Sequence, residues 1–473
     1  MNNLVIDMTH GGVKIAISLA KKGRNVLAYD IYNTLNTIDR KMLEIYDVWL
    51  LDDFSELETY RGDMRVIYPI HLPLTFDEIT QNNPDLNYTF ASHHEIICEL
   101  LSGWAEDIPK IEITGVKGKT SCVFMLKEIL VDENPLILSS LGALLYENGN
   151  EIVLKKDISI APANIKETVD LAYKIANPIC KIADGIVESE NLRKYGCAIF
   201  ESSLGTTGIG DVGLLTNISE NYPIAKKRST AAEAKRQVFR CKNVVCEKES
   251  LDEYYYDVNH PNVNTFSLND ETSSLYLKDV SYSLDKTEIT VEYENVKTVN
   301  GDLISGTLSL KTFAPGPHHV KNVLGVILTC LTLKIDEDKI IDGLGNYKGI
   351  TGRTTKRSKG NSTIIEEINP GINTDAIRQS INMIRDLKNW LVAIGGDYGI
   401  TCEEIDEEKV ANYLNTIESD VILTGEVGRS ILAKMDKKAE FHENPNEVYD
   451  LAVNNGKNLL FIYRSDYHKL SQR

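Results

Sequence analysis

The sequence predicts an α/β protein of three domains, on three observations. The chain opens as a strand–helix–strand unit. A second strand near residue 108 runs through a glycine-rich loop into a helix. After a β-rich stretch, strand and helix patterns resume beyond Gly349. Its 473 residues exceed one core at roughly 100–200 residues per domain. The expected boundaries are 1–107, 108–348 and 349–473.

In the first segment, residues 4–8 (LVIDM) form a short apolar run that predicts a buried strand. Thr9-His10-Gly11-Gly12 then turns the chain into an amphipathic helix over 13–22, and residues 25–30 give a second strand ending in Asp30. The turn lacks GxGxxG, which weighs against dinucleotide binding. Two readings of Gly11 and Gly12 stand: a tight strand-to-helix turn, or amides that hold a substrate anion at the helix start.

In the middle segment, residues 110–114 (KIEIT) predict a strand and 122–130 a helix, with a glycine loop between them. Residues 264–313 alternate with a period of two at 275–280, 287–293 and 306–311, broken by turns such as Asn300-Gly301-Asp302, and read as a small β-rich annex. The last segment offers strands at 363–366, 390–394, 420–424 and 459–463, with a helix over 374–387.

Composition is that of an ordinary folded protein, with 42% hydrophobic and 25% charged residues. A net charge of −18 opposes partners that present a phosphate backbone or an anionic membrane. Cysteines 98, 122, 180, 197, 241, 246, 330 and 402 contain no CxxC pair and read as reduced, mostly buried thiols. The start MNNLVIDMTHGG has no signal-peptide pattern and no apolar run approaches the ~20 residues of a membrane span, so a cytoplasmic protein is expected. Oligomeric state leaves no mark in the sequence.

The chemistry centres on Gly115-Val116-Lys117-Gly118-Lys119-Thr120-Ser121. Glycines let backbone amides curl around phosphate oxygens, and the following helix start adds partial positive charge. Lys119 is placed to contact the β- and γ-phosphates of ATP, and the Thr120 hydroxyl to ligate Mg2+. Ile113 occupies the first glycine position of the full GxxxxGK[ST] pattern. Further motifs follow in order: Phe200-Glu201-Ser202-Ser203, Leu214-Leu215-Thr216-Asn217-Ile218, Ala232-Glu233-Ala234-Lys235, Pro315-Gly316-Pro317-His318-His319-Val320-Lys321-Asn322, Gly352-Arg353, and Ile365-Glu366-Glu367-Ile368-Asn369-Pro370.

Read together, TGVKGKT and these motifs resemble the Mur ligase family, from about residue 108 to the C-terminus. The resemblance implies a Rossmann-like N-terminal domain, a central P-loop ATPase domain and a Rossmann-like C-terminal domain. It also implies an ATP-dependent ligase that activates a carboxylate as an acyl phosphate. It assigns Glu201 to magnesium or the γ-phosphate, Lys235 to the lysine that is often carbamylated and bridges a second magnesium, Asn322 to the adenine side, and Arg353 to the nucleotide. The catalytic set is then Lys119, Glu201 and Lys235, with Thr120 and Glu201 on the metal.

Departures from the pattern are plain. Ser219-Glu220-Asn221-Tyr222 lacks the histidine that usually serves a second metal, and His319 replaces an asparagine. Lys235 could equally stand on a solvated helix face and Glu201 at a solvated strand edge. Either Glu366 or Glu367 could serve the ribose.

Within the family, Asp7-Met8-Thr9-His10-Gly11-Gly12, Ser139-Ser140-Leu141-Gly142 and Glu366-Glu367-Ile368-Asn369-Pro370-Gly371 look most like the archaeal branch that completes coenzyme F-430. That likeness implies a small-molecule substrate, a nickel tetrapyrrole carboxylate closed into its last carbocyclic ring with release of ADP and phosphate. The competing readings are an amino-acid-adding ligase such as a pseudomurein peptide ligase, with Gly395-Gly396-Asp397-Tyr398-Gly399 near its amino-acid pocket, and a non-catalytic nucleotide-binding scaffold. Nickel belongs to the substrate in this reading. Histidines 10, 71, 93, 94, 260, 318, 319, 442 and 468 show no firm metal-ligand spacing, and the adjacent His93 and His94 should point in different directions on a helix.

Overall fold

The computed structural model describes residues 1–176, 180–182, 185–187, 193–385, 387–399, 405–465 and 470. Cys402, His468 and the side chain of Cys180 lie outside the described residues. The chain gathers into two compact units. One comprises Met1–Asp279, Thr290–Ser309 and Lys321–Leu344; the other comprises Val280–Ile289, Leu310–Val320 and Gly345–Arg473.

The first unit opens with five parallel strands: β1 (Asn2–Ile6), β2 (Asn25–Tyr29), β3 (Trp49–Leu51), β4 (Asp63–Tyr68) and β5 (Asn87–Ser92), in the order β3-β2-β1-β4-β5. Side chains of a strand alternate between faces, and a sheet covered on both sides needs apolar residues at every position. Leu4, Val5 and Ile6 meet that need. Val5 packs with Ile15, Ala16 and Leu19 of helix α1 (Val13–Lys21), whereas Leu4 and Ile6 pack with Leu57 and Ile79 on the other face.

The larger sheet of this unit is built around β6 (Lys110–Thr114), with β7 (Leu136–Ser139), β8 (Gly142–Glu147), β9 (Asn150–Lys155), β10 (Ala198–Glu201), β11 (Val212–Leu215), β12 (Asn243–Glu247), β13 (Val263–Ser267), β14 (Leu275–Ser281), β15 (Thr287–Lys297) and β16 (Leu303–Thr312). Its order is β16-β15-β14-β13-β12-β11-β6-β10-β7-β8-β9. The β-rich stretch expected from residue 264 onward is thus realised as strands that extend the central sheet at one edge. The parallel pairings β10–β6 and β6–β11 bring three strand ends, Thr114, Glu201 and Leu215, to the same side. In parallel α/β sheets, ligands bind beyond such carboxyl ends.

A shared core joins the two sheets of the first unit. Val5, Ile15, Leu19 and Ile97 pack in one cluster with Leu136, Ile165, Val169 and Phe200. Gly11 lets the turn approach helix α2 (Pro162–Ala176): it has φ +105°, and an added Cβ would lie 2.5 Å from the Cβ of Ala163. Close packing therefore accounts for this glycine.

The second unit carries β17 (Arg353–Lys359), β18 (Ser362–Ile368), β19 (Trp390–Gly396), β20 (Asp420–Thr424), β21 (Glu440–His442) and β22 (Asn458–Arg464), ordered β17-β18-β22-β19-β20-β21. Only the β17–β18 pairing is antiparallel. Val392 and Ile394 face one helical layer, Leu391 and Ala393 the other. Among the described residues no helix is long and apolar enough to cross a membrane.

Candidate functional site

The glycine loop leaves β6 at Thr114 and enters a helix, Lys119–Ile129, whose N-cap is Gly118 at φ +84° with no side-chain cap. A helix start capped by glycine rather than by a side chain suits an anion. Two neighbours hold the loop in shape. A Cβ on Gly115 would lie 1.9 Å from Thr216 Oγ1, and one on Gly118 would lie 2.0 Å from Asn322 Oδ1. Thr216 Oγ1 donates to Lys117 O at 2.6 Å, Asn217 Nδ2 donates to the same carbonyl at 3.1 Å, and Val116 N donates to Asn217 O at 2.9 Å. The Thr-Asn strand end therefore clamps the loop from beneath. Val116, Lys117, Gly118, Lys119 and Ser121 remain partly exposed, whereas Thr120 and Asn322 are buried.

Beyond the loop the fold brings together residues far apart in sequence. Lys119 Nζ donates to Gly115 O at 3.1 Å, bending back over the loop. The Thr120 hydroxyl lies 3.1 and 3.0 Å from the two carboxylate oxygens of Glu201, and Ser140 N donates to Glu201 Oε2 at 3.0 Å. Glu201 is 2% exposed, so it is no solvated strand edge. The next hydroxyl, Ser202 Oγ, is buried without a protein partner. A hydroxyl and a carboxylate sharing a buried pocket, with an unsatisfied hydroxyl beside them and a glycine cradle in front, fit a magnesium triphosphate.

Lys235 has no exposed surface, which rules out the solvated-face alternative. It closes the short helix Ala231–Lys235, which is capped by Thr230 and Glu233. Its amine lies 3.5 Å from Tyr222 OH and 5.4 Å from the centre of that ring. Burial, and secondarily the charge of Lys119, bring its pKa down to about 7. The segment without the family histidine has structural work instead: Asn221 Oδ1 accepts from Ala232 N at 2.9 Å, and Tyr222 covers Lys235.

Arg353 and the acidic strand end stand in the second unit. Arg353 begins β17 opposite Glu367. The two acids, adjacent on β18, have separate partners. Glu366 accepts from Arg357 and from Tyr449 OH, each at 2.7 Å. Glu367 accepts from the Thr354 hydroxyl, which also meets His319 Nε2 at 2.8 Å. Burial pushes the Glu367 carboxyl up to about 7, against the Thr354 hydrogen bond and the Arg353 charge. In the Gly395–Gly399 segment, Asp397 accepts from Tyr463 OH at 3.0 Å and Ser465 Oγ at 2.7 Å.

One cluster was not legible in the sequence. Asp7, at φ 73° after β1, places Oδ2 2.8 Å from His10 Nδ1 and 3.5 Å from His71 Nε2, and the two histidine nitrogens lie 3.2 Å apart. His71 lies 61 residues beyond His10, so only the β1–β4 pairing unites them. A cavity of about 210 Å³ adjoins the cluster, lined by His10, His71, His93, His94, Ser203 and Leu204 among others. His93 and His94 line it together, contrary to the expectation that adjacent helical residues diverge. They sit at the first turn of the helix His93–Leu100, where His93 bonds Ile6 O at 3.0 Å.

Known proteins resemble this chain over most of its length. A family described as "Coenzyme F430 synthetase CfbE, C-terminal domain" matches residues 356–466. A coenzyme F(430) synthetase of Methanocaldococcus jannaschii is 26% identical over 441 residues, 91% of this chain and 92% of that one. One from Methanosarcina acetivorans is 24% identical over 455 residues, 91% of each. Among solved structures, the MurF ligase of Thermotoga maritima in complex with ADP superposes with a TM-score of 0.56 at 13% identity, covering 89% of this chain and 97% of that one. The chain is an ATP-dependent ligase with the fold of the Mur ligases, similar over 91% of its length to coenzyme F(430) synthetases.

Proposed function

We propose that the protein uses ATP to phosphorylate a propionate side chain of a nickel tetrapyrrole and lets a carbon of the same molecule displace the phosphate, closing a carbocyclic ring. One oxygen of the carboxylate attacks the γ-phosphorus, and ADP leaves. The carbon nucleophile then forms the new C–C bond, phosphate departs and a proton is lost from that carbon. Atoms balance without a redox partner. The observation that carries the reading is the buried Thr120–Glu201 pair at the mouth of the glycine loop. The substrate is carried by likeness to the two archaeal synthetases.

The chain's own groups divide the work. Gly115, Val116, Lys117, Gly118 and Ser121 shape the loop whose amides receive the phosphates, and Lys119 neutralises charge on the transferring group. Thr120 and Glu201 would hold magnesium, which when bound draws charge from the β- and γ-phosphates. Asn322 supports the loop at Gly118. With its pKa brought down to about 7, Lys235 is about half free amine at neutral pH, the form that takes up carbon dioxide, so the carbamylation inferred from resemblance is open to it. Arg353 is assigned to the nucleotide by resemblance alone. Domains 1–107, 108–348 and 349–473, with the first holding the organic substrate, and a cytoplasmic setting complete the reading.

The test is phosphate release from magnesium-ATP with the nickel seco-precursor offered alone, beside Lys119→Ala. Release together with a changed visible spectrum, both abolished in the variant, is expected. Release only after an amine is added would replace the ring closure with amide ligation.

A further inference from the structure

We propose that Asp7, His10 and His71 form a binding site for one free divalent transition-metal ion, separate from the nucleotide's magnesium. The geometry is that of three ligands on one centre. Ligands at about 2.0–2.2 Å from a metal lie roughly 2.9 Å apart at right angles and roughly 3.4 Å apart at tetrahedral angles. The three distances here are 2.8, 3.2 and 3.5 Å. Two imidazoles and one carboxylate on one face, with the remaining positions open, suit a borderline ion such as cobalt, nickel, iron or zinc.

Hydrogen bonding alone accounts for the cluster poorly. Either both histidines direct N–H groups at the same oxygen, Asp7 Oδ2, with their nitrogens only 3.2 Å apart and one contact stretched to 3.5 Å, or one ring nitrogen accepts from the other and leaves the carboxylate a single N–H donor from the pair. A cation satisfies all three atoms at once. The support behind the site is already built. Asp7 is fully buried, and its other oxygen accepts from Thr9 N at 2.9 Å and His10 N at 3.3 Å, which fixes Oδ2 toward the histidines. His10 and His71 retain 48% and 23% of their side-chain exposure, so an ion has access.

A second observation points to a ligand in the adjoining cavity. His94 is 2% exposed, lines the same space, and has no partner on either ring nitrogen. An ion on the triad would offer its open positions to water or to a carboxylate oxygen of a molecule seated there, with His94 supplying a hydrogen bond. The site is not the axial seat of a tetrapyrrole nickel. The macrocycle occupies four equatorial positions of its metal and leaves one axial position per face, which cannot accept three neighbouring side chains.

The experiment uses the full chain freed of metal by chelation and titrated with Co2+, following visible absorption, bound stoichiometry and melting temperature. One equivalent should bind with d–d bands and raise the melting temperature. In His71→Ala and in His10→Ala, each first shown to melt cooperatively, affinity should fall by at least about tenfold and the bands should be lost. Equal Co2+ binding by wild type and both variants, or no binding by the wild type, would overturn the proposal. So would a spectral response confined to a nickel tetrapyrrole and absent with the free ion. Because the readout needs no turnover, failure here is distinguishable from failure of the ring-closing assignment.

Discussion

Replacing Lys235 with methionine should make the protein more stable and catalytically dead. A lysine with no exposed surface loses the hydration of its ammonium, and among the described residues no carboxylate forms an ion pair with it to compensate. Lowering its pKa from 10.5 to about 7 corresponds to about 5 kcal/mol, at ~1.4 kcal/mol for each tenfold change in the ionisation equilibrium. Methionine keeps the apolar stem and removes the amine, so relaxation of the pocket leaves an expected gain of about 3–5 kcal/mol near neutral pH. The sign follows from proton counting. Between about pH 7 and 10.5 the unfolded lysine holds a proton that the folded one has lost, so stability rises with pH across that window. Urea unfolding near pH 7 and near pH 9.5, read by amide exchange within 231–240, should show the variant well above wild type at the lower pH and the gap narrowing at the higher. Phosphate release should fall to background at both. A variant no more stable than wild type, or one with the same pH slope, would refute the claim that an uncompensated amine is buried there.

Three further outcomes follow from the same geometry. Gly118→Ala forces a Cβ within 2.0 Å of Asn322 Oδ1 at φ +84°, whereas Gly103→Ala, at φ +77° with nothing within 4 Å, meets only backbone strain of about 1 kcal/mol; calorimetry should find ATP binding lost in the first and kept in the second. Glu201→Gln preserves shape and removes charge, and should lower phosphate release by about a hundredfold or more at saturating ATP, a loss greater than its effect on ATP affinity. Glu367, raised from 4.5 to about 7, keeps in the folded state a proton that the unfolded state has already lost, so the second unit should lose about 3 kcal/mol as pH rises through that window. Urea titrations of Glu367→Gln should be flat over the same range.

What the sequence disclosed depended on how local the signal was. The strand at 110–114, the loop and the helix after it are contiguous; the observed strand Lys110–Thr114 matches the expectation, and the helix Lys119–Ile129 starts three residues before the expected 122, directly at the glycine loop. Strands at 25–29 and 420–424 were equally legible, because each is a short apolar run between turns. The burial of Lys235 was not. An Ala-rich helix turn reads as amphipathic surface, whereas in the fold Tyr222 covers the amine and Tyr255 OH bonds Ala232 O of the same turn. The partition of Glu366 and Glu367 was also hidden, since it needs Tyr449 from a distant helix and Thr354 from a neighbouring strand. The Asp7–His10–His71 cluster failed to register for the same reason, although Asp7 and His10 sit three apart in the sequence.

The first unit owes its chemistry to one strand end. β10 delivers Glu201 to Thr120, then Ser203 and Leu204, within three residues, to the cavity that His10, His71 and His94 line. The Thr120–Glu201 pair and this cavity are therefore spaced by the chain itself, through a strand paired with β6. Ala161 and Pro162 at the start of α2 line the same cavity, next to Ala163, which meets Gly11. On the function proposed above, a carboxylate of a molecule seated in that cavity would reach the nucleotide along β10, past Ser203 and Glu201.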